Sequence, residues 1–158
     1  MEMRWRIGPA PEPHSVPIWA WCQWNGSERK RPDLRAAGHL GRGERGVRIE
    51  FEADEARVLL SDFDLWHYPL NYWYLPVSET DGGAFDAELK GIGLSYFEHK
   101  PVPHAGCHSR IEKSWQRIFD LGWSEPGISQ KRQEKSIQAT LWELRLDAVS
   151  RHDAFTSR

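Results

Sequence analysis

Apolar and polar positions along this chain follow two rhythms, and the change between them falls inside Val58–Pro76, VLLSDFDLWHYPLNYWYLP. Val58, Leu59 and Leu60 form a short apolar run of the kind that makes a buried strand. Ser61, Asp62 and Asp64 follow at once, and these are residue types that cap helix starts. Phe63, Trp66, Leu70 and Trp73 then recur three and four positions apart, which places them on one helical face. Pro69 removes a backbone donor, so two short helical pieces are predicted rather than one. Before this stretch, Val47, Ile49 and Phe51 alternate with Arg48, Glu50 and Glu52, the period of a half-exposed strand. IWAWCQW (18–24) reads as a buried strand or short helix ended by the Asn25-Gly26 turn. Thr80-Asp81 caps a helix presenting Phe85, Leu89 and Ile92. Ser109 and Glu112 form a capping box for a helix carrying Ile111, Trp115, Ile118 and Phe119, with Gly122 as its stop. SIQATLWELRLDAV (136–149) alternates with apolar groups on both faces and predicts a central strand.

These elements predict an α+β fold: a small mixed, mainly antiparallel sheet with short helices packed on it. At 158 residues the chain reads as a single domain, 1–158, with 1–17 an irregular lead-in set by Pro9, Pro11, Pro13 and Pro17. Charged residues make up 28% and the net charge is −2, so no basic field points to nucleic acid, which is not expected as a partner. No apolar run has the length of a bilayer span, and the first residues lack the apolar centre of a signal sequence. Cys22 and Cys107 make no disulfide framework, and the expected setting is cytoplasmic, with free thiols.

Nine tryptophans change the picture, because an indole offers a large apolar face and an N–H that needs a partner. Asp62, Asp64, Trp66, His67 and Asn71 crowd together where the middle strand ends. Polar groups set in an aromatic wall at such an edge are typical of ligand sites. They are therefore the candidate ligand-binding residues, together with Trp142 on the closing strand, for a small molecule or a protein partner. Glu143 continues an apolar row of that strand and needs either a partner, Arg145 being nearest in sequence, or a catalytic purpose. Arg31 and Arg35, within the basic run Arg29, Lys30, Arg31, Arg35, are candidate anion contacts because a guanidinium suits such groups. His99, His104, Cys107 and His108 follow no known zinc spacing, so no metal is expected. Glu50, Glu52, Asp62 and Asp64 likewise lack the spacing of a metal-dependent nuclease. No cofactor is expected from the residues themselves.

PIWAWCQW, KRPDLRAAG, GVRIEFEADEARVLLSDFDLWHYPLNYWYLP, SWQRIFDL and SIQATLWELRL together resemble a small prokaryotic family known only as a domain of unknown function. The resemblance runs from about Arg6 to the end of the chain. Members of that family begin with a further strand and helix, which implies that the opening segment is missing or shortened here. The order of the strands is also similar to ADP-ribosyltransferase-type domains, in which a glutamate on a late strand polarises the nicotinamide ribose of NAD. That similarity implies Glu143 as the catalytic carboxylate and NAD as cofactor, although the first-strand His or Arg of the pattern has no counterpart here. Two functions are thus expected: an intracellular binding module with an aromatic and acidic site, or an NAD-dependent enzyme built on Glu143.

Overall fold

The computed structural model describes residues 2–27, 31–36 and 38–158, so Arg29 and Lys30 of the basic run lie outside the described residues. The elements in order are α1 (Glu2–Ile7), β1 (Ile18–Gln23), β2 (Arg45–Phe51), β3 (Leu59–Asp62), α2 (His67–Asn71), α3 (Glu79–Gly91), α4 (Ala105–Ser114), β4 (Ile137–Leu141) and β5 (Val149–Thr156). The chain is a small α+β fold with small antiparallel sheets and short helices. One sheet has the order β1-β4-β3 and the other pairs β2 with β5. No helix among the described residues is long and apolar enough to cross a membrane.

The chain divides into two compact units. The first comprises Met1–Ala20, Arg29–Leu59 and Ala139–Arg158. Its main feature is the β2–β5 ladder, antiparallel from Arg45↔Thr156 to Glu50↔Arg151, with a bulge before Phe51↔Val149. The alternation of Val47, Ile49 and Phe51 produces β2 as predicted. The closing stretch differs from the single strand predicted over 136–149. Leu141 ends β4, a 3₁₀ turn occupies Leu146–Ala148, and a separate strand begins at Val149. Arg145 and Asp147, joined by a bidentate pair (3.0 and 2.8 Å), brace the turn between the two strands.

The second unit comprises Trp21–Glu28 and Leu60–Gln138. Two buried clusters fill it, one of Phe85, Leu89, Val102, Cys107 and Ile111, the other of Leu65, Leu75 and Ile118. Trp115 packs against both. Each fully buried side chain of this size contributes roughly 1.5–3 kcal/mol. Helix α3 starts at Ser78, whose hydroxyl accepts from the Asp81 amide at 3.2 Å, rather than at Thr80. Phe85 and Leu89 are buried as predicted, whereas Ile92 lies beyond the helix and is exposed. Helix α4 begins four residues before the expected capping box, because His104 Nδ1 already accepts from the Cys107 amide. Two helical pieces do follow β3, a 3₁₀ turn Asp64–Trp66 and then α2. The division precedes Pro69, which sits in the first turn of α2, where a missing N–H breaks no helical bond.

Candidate functional site

The apolar run ending β3 delivers Asp62 into the interior of the second unit, where a bare carboxylate is costly. Lys135 meets it there, with Nζ donating to Oδ2 at 2.8 Å. The two side chains are only 1% and 2% exposed. Lys135 Nζ also donates to the Trp123 carbonyl (2.9 Å) and to Ser129 Oγ (2.8 Å), so all three ammonium protons are used. Ser129 in turn donates to Asp62 Oδ2 (3.2 Å), and Asp62 Oδ1 accepts from the Asp64 amide (3.1 Å). The serine and lysine stand at the distance of a nucleophile and its base. A lysine whose ammonium hydrogen bonds are all committed, one of them to a carboxylate, serves as a clamp. The clamp fastens the Trp123–Lys135 loop to the end of β3.

Two hollows open on either side of that loop, sharing Pro126, Gly127 and Ile128 in their walls. One, of about 560 Å³, has charged residues in its lining, Asp62, Asp64, Glu125, Lys131 and Glu134 among them. Partial burial, followed by the neighbouring Asp62 charge, pushes the Asp64 carboxyl up. The other, of about 620 Å³, is walled by Tyr68, Trp73, Tyr74, Tyr96 and Phe97, with Glu79 and Asp86 among its lining residues. Adjacent rings meet at steep angles: Tyr68 and Trp73 at 81°, Trp73 and Phe97 at 60°, Tyr96 and Phe97 at 46°. Trp73 Nε1 is buried and has no hydrogen-bond partner among the described residues. Tyr96 donates to Asp86 Oδ1 (2.6 Å) and Tyr74 to Asp81 Oδ2 (3.0 Å). Burial first, then the carboxylate each phenol faces, pushes both tyrosines up, so the rings remain neutral donors.

The expected ligand-binding residues fall in different settings. Asp62 is locked in the clamp, and Trp66 Nε1 donates to Ser61 Oγ at 3.0 Å. Asn71 Nδ2 donates to the His67 carbonyl at 2.8 Å, and the His67 side chain is exposed. Asp64 borders the hollow of about 560 Å³. Lys135, Ser129, Asp86, Tyr96 and Phe97 were not singled out by sequence reasoning. The one available signal was that Asp62 ends an apolar run and demands a cation, while Lys135 stands just before the next such run.

Trp142 and Glu143 lie in the first unit. Trp142 Nε1 donates to the Gly8 carbonyl at 3.0 Å. Glu143 follows the end of β4, so it does not continue a buried row as expected. Its side chain is 49% exposed, and its partner is Arg57 at 2.8 Å rather than Arg145. Both border a hollow of about 400 Å³ that includes Trp142 and Arg145. The candidate anion contacts already hold carboxylates: Arg31 pairs with Glu50 (2.8 Å) and Arg35 with Asp33 (2.8 Å). The hydrogen bonds from Arg35 hold the Asp33 carboxyl down at about 2. The histidines of the 99–108 region are used locally. His104 caps α4, while His108 Nδ1 meets the Tyr72 hydroxyl and its Nε2 lies 3.6 Å from Glu112. Burial pushes the Cys107 thiol up. Among the described residues, no group of three or more His, Cys, Asp or Glu comes together to hold a metal ion.

Fold and site together define a small α+β protein whose second unit has an aromatic hollow and a buried ion pair that fastens a loop of its wall. The chain belongs to the family described as Domain of unknown function (DUF3841), whose model matches residues 2–150. No curated protein and no solved structure matches the chain.

Proposed function

We propose that this protein is a small-ligand binding module whose ligand occupies the aromatic hollow of the second unit. The observation that carries this reading is the convergence of five rings and two carboxylates on one space of about 620 Å³, within the range of small-molecule sites. Asp62 and Lys135 act as positioning residues, since they fix the loop that supplies Pro126 and Ile128. Asp64, Trp66, His67 and Asn71 belong to the same segment and set the approach of Tyr68 and Trp73 to the hollow. A small-molecule library screened by two-dimensional NMR tests this. Binding compounds should shift the Trp73 indole N–H and its ring neighbours together, and Trp73→Leu should abolish those shifts. A library without one compound that moves these signals would leave the proposal without a ligand and refute it.

A second reading rests on the first unit, where Glu143 borders a hollow with Trp142 beside Arg57 and Arg145. Guanidinium groups suit a pyrophosphate, so these residues fit an NAD-type ligand in part. Arg57, however, is already engaged by the carboxylate that would face the ribose. Incubation with NAD, followed by mass spectrometry for free nicotinamide, decides this reading. Release that Glu143→Gln removes supports it, and absence of release rules it out.

A further inference from the structure

The aromatic hollow has a chemical preference, and this step rests on the binding reading above. We infer that its ligand carries a methylated ammonium group: a small free quaternary amine held by rings on several sides and by carboxylate charge. Three observations point there. The first is shape, because neighbouring rings stand 46° to 81° apart and 5.0 to 6.4 Å between centroids. Rings so tilted against one another build a curved aromatic wall, which suits a rounded group better than a parallel-sided slot would. Ring faces carry negative potential and attract a diffuse cation, most strongly when one ring is an indole.

The second is charge. Asp86 and Glu79 are the ionisable acids of the lining, and no lysine, arginine or histidine is found among its described residues. An anionic ligand would meet repulsion there, whereas a cation meets attraction. The third is how the phenols are turned. Tyr96 and Tyr74 each donate to a carboxylate, Asp86 and Asp81, which enriches the rings that these two residues bring to the lining. A methylated ammonium has no N–H to lose, so ring faces and nearby charge suffice to replace its water.

The test uses the whole chain and two probes of nearly equal shape: choline, and the neutral alcohol in which carbon replaces its nitrogen. Both are titrated by calorimetry and by tryptophan fluorescence. Choline should bind saturably, and the neutral analogue about tenfold more weakly or worse. Asp86→Asn retains an oxygen for the Tyr96 hydroxyl, and it should weaken choline severalfold without changing the analogue. If that variant loses its native circular dichroism, Glu79→Gln takes its place with the same expectation. Equal affinity for the two probes would overturn the ammonium assignment and leave a merely apolar binding site. The same holds if choline fails to bind while a library compound of another class does bind. Failure of every compound removes the binding reading itself.

Discussion

Replacing Lys135 by methionine tests the clamp that fastens the Trp123–Lys135 loop to the end of β3. The substitution keeps most of the side-chain volume and deletes only the charged end. It leaves Asp62 in a site 2% exposed, with its charge uncompensated and the Trp123 carbonyl and Ser129 hydroxyl short of a donor. Breaking a buried pair from one side costs about 3–5 kcal/mol. At about 2–4 °C per kcal/mol for a chain of this size, melting should fall by roughly 10 °C. The reverse cut, Asp62→Leu, leaves the lysine in a site 1% exposed without its carboxylate and should cost a similar amount. Asp62→Leu combined with Lys135→Met removes both charges, and buried pairs replaced by apolar groups are often neutral or better. The double variant should therefore be more stable than the sum of its parts predicts, with a coupling of about 2 kcal/mol or more. Urea denaturation followed by tryptophan fluorescence supplies all four corners of the cycle. A pair this deep is barely screened, so the losses should be alike at low and high salt. A Lys135→Met loss below about 1 kcal/mol, or a coupling below about 0.5 kcal/mol, would show that the pair is not the clamp described.

Other perturbations probe other parts of the molecule. Glu143→Gln should cost less than about 1 kcal/mol in a thermal melt, because both partners of its ion pair are about half exposed. Asp64 has a raised folded pKa, so its stabilising share is present below the ordinary carboxylate range and is lost as pH rises through the folded value. Asp64→Asn should therefore raise the urea midpoint at pH near 7 and leave it nearly unchanged near 3, where both side chains are neutral. Gly26→Ala should cost more than about 1 kcal/mol by the same assay. Gly26 has φ +90°, and a Cβ there would stand 2.9 Å from the Gln133 carbonyl oxygen. Trp115→Phe removes the indole bond to the Trp73 carbonyl (2.7 Å) and should cost about 1–3 kcal/mol, with the Trp73 signal shifted in the NMR spectrum.

Those parts of the fold that depend on local spacing were legible from the residues alone. Val47, Ile49 and Phe51 announce β2, Val58 to Leu60 announce the approach to β3, and Phe85 with Leu89 mark the inner face of α3. The closing region was misread because LWELRL continues an alternation that the chain abandons after Leu141. An arginine and an aspartate two residues apart close a tight turn there, and periodicity does not register such a pair. Strand β5, VSRHDAFT, has too few apolar residues to announce itself and takes its form from pairing with β2. Lys135 lies in a run of charged residues, where solvent exposure is the ordinary expectation. Only tertiary structure sets it against Asp62. The aromatic hollow was half legible. Tyr68, Trp73 and Tyr74 come from the ring-rich segment, but Tyr96, Phe97 and Asp86 are brought to them by α3 and the loop beyond it.

The pairing of β2 with the last strand has a practical consequence. The family match stops at residue 150, while β5 continues to Thr156. Trimming the protein to the family boundary would keep all of β2 and strip away most of the backbone that it zips onto. The orphaned ribbon, with Val47 and Ile49 already facing outward, is then a template for another copy of itself. Light scattering should reveal clumping in the shortened form and its absence in the full sequence, which would make the tail a built-in guard against polymerisation.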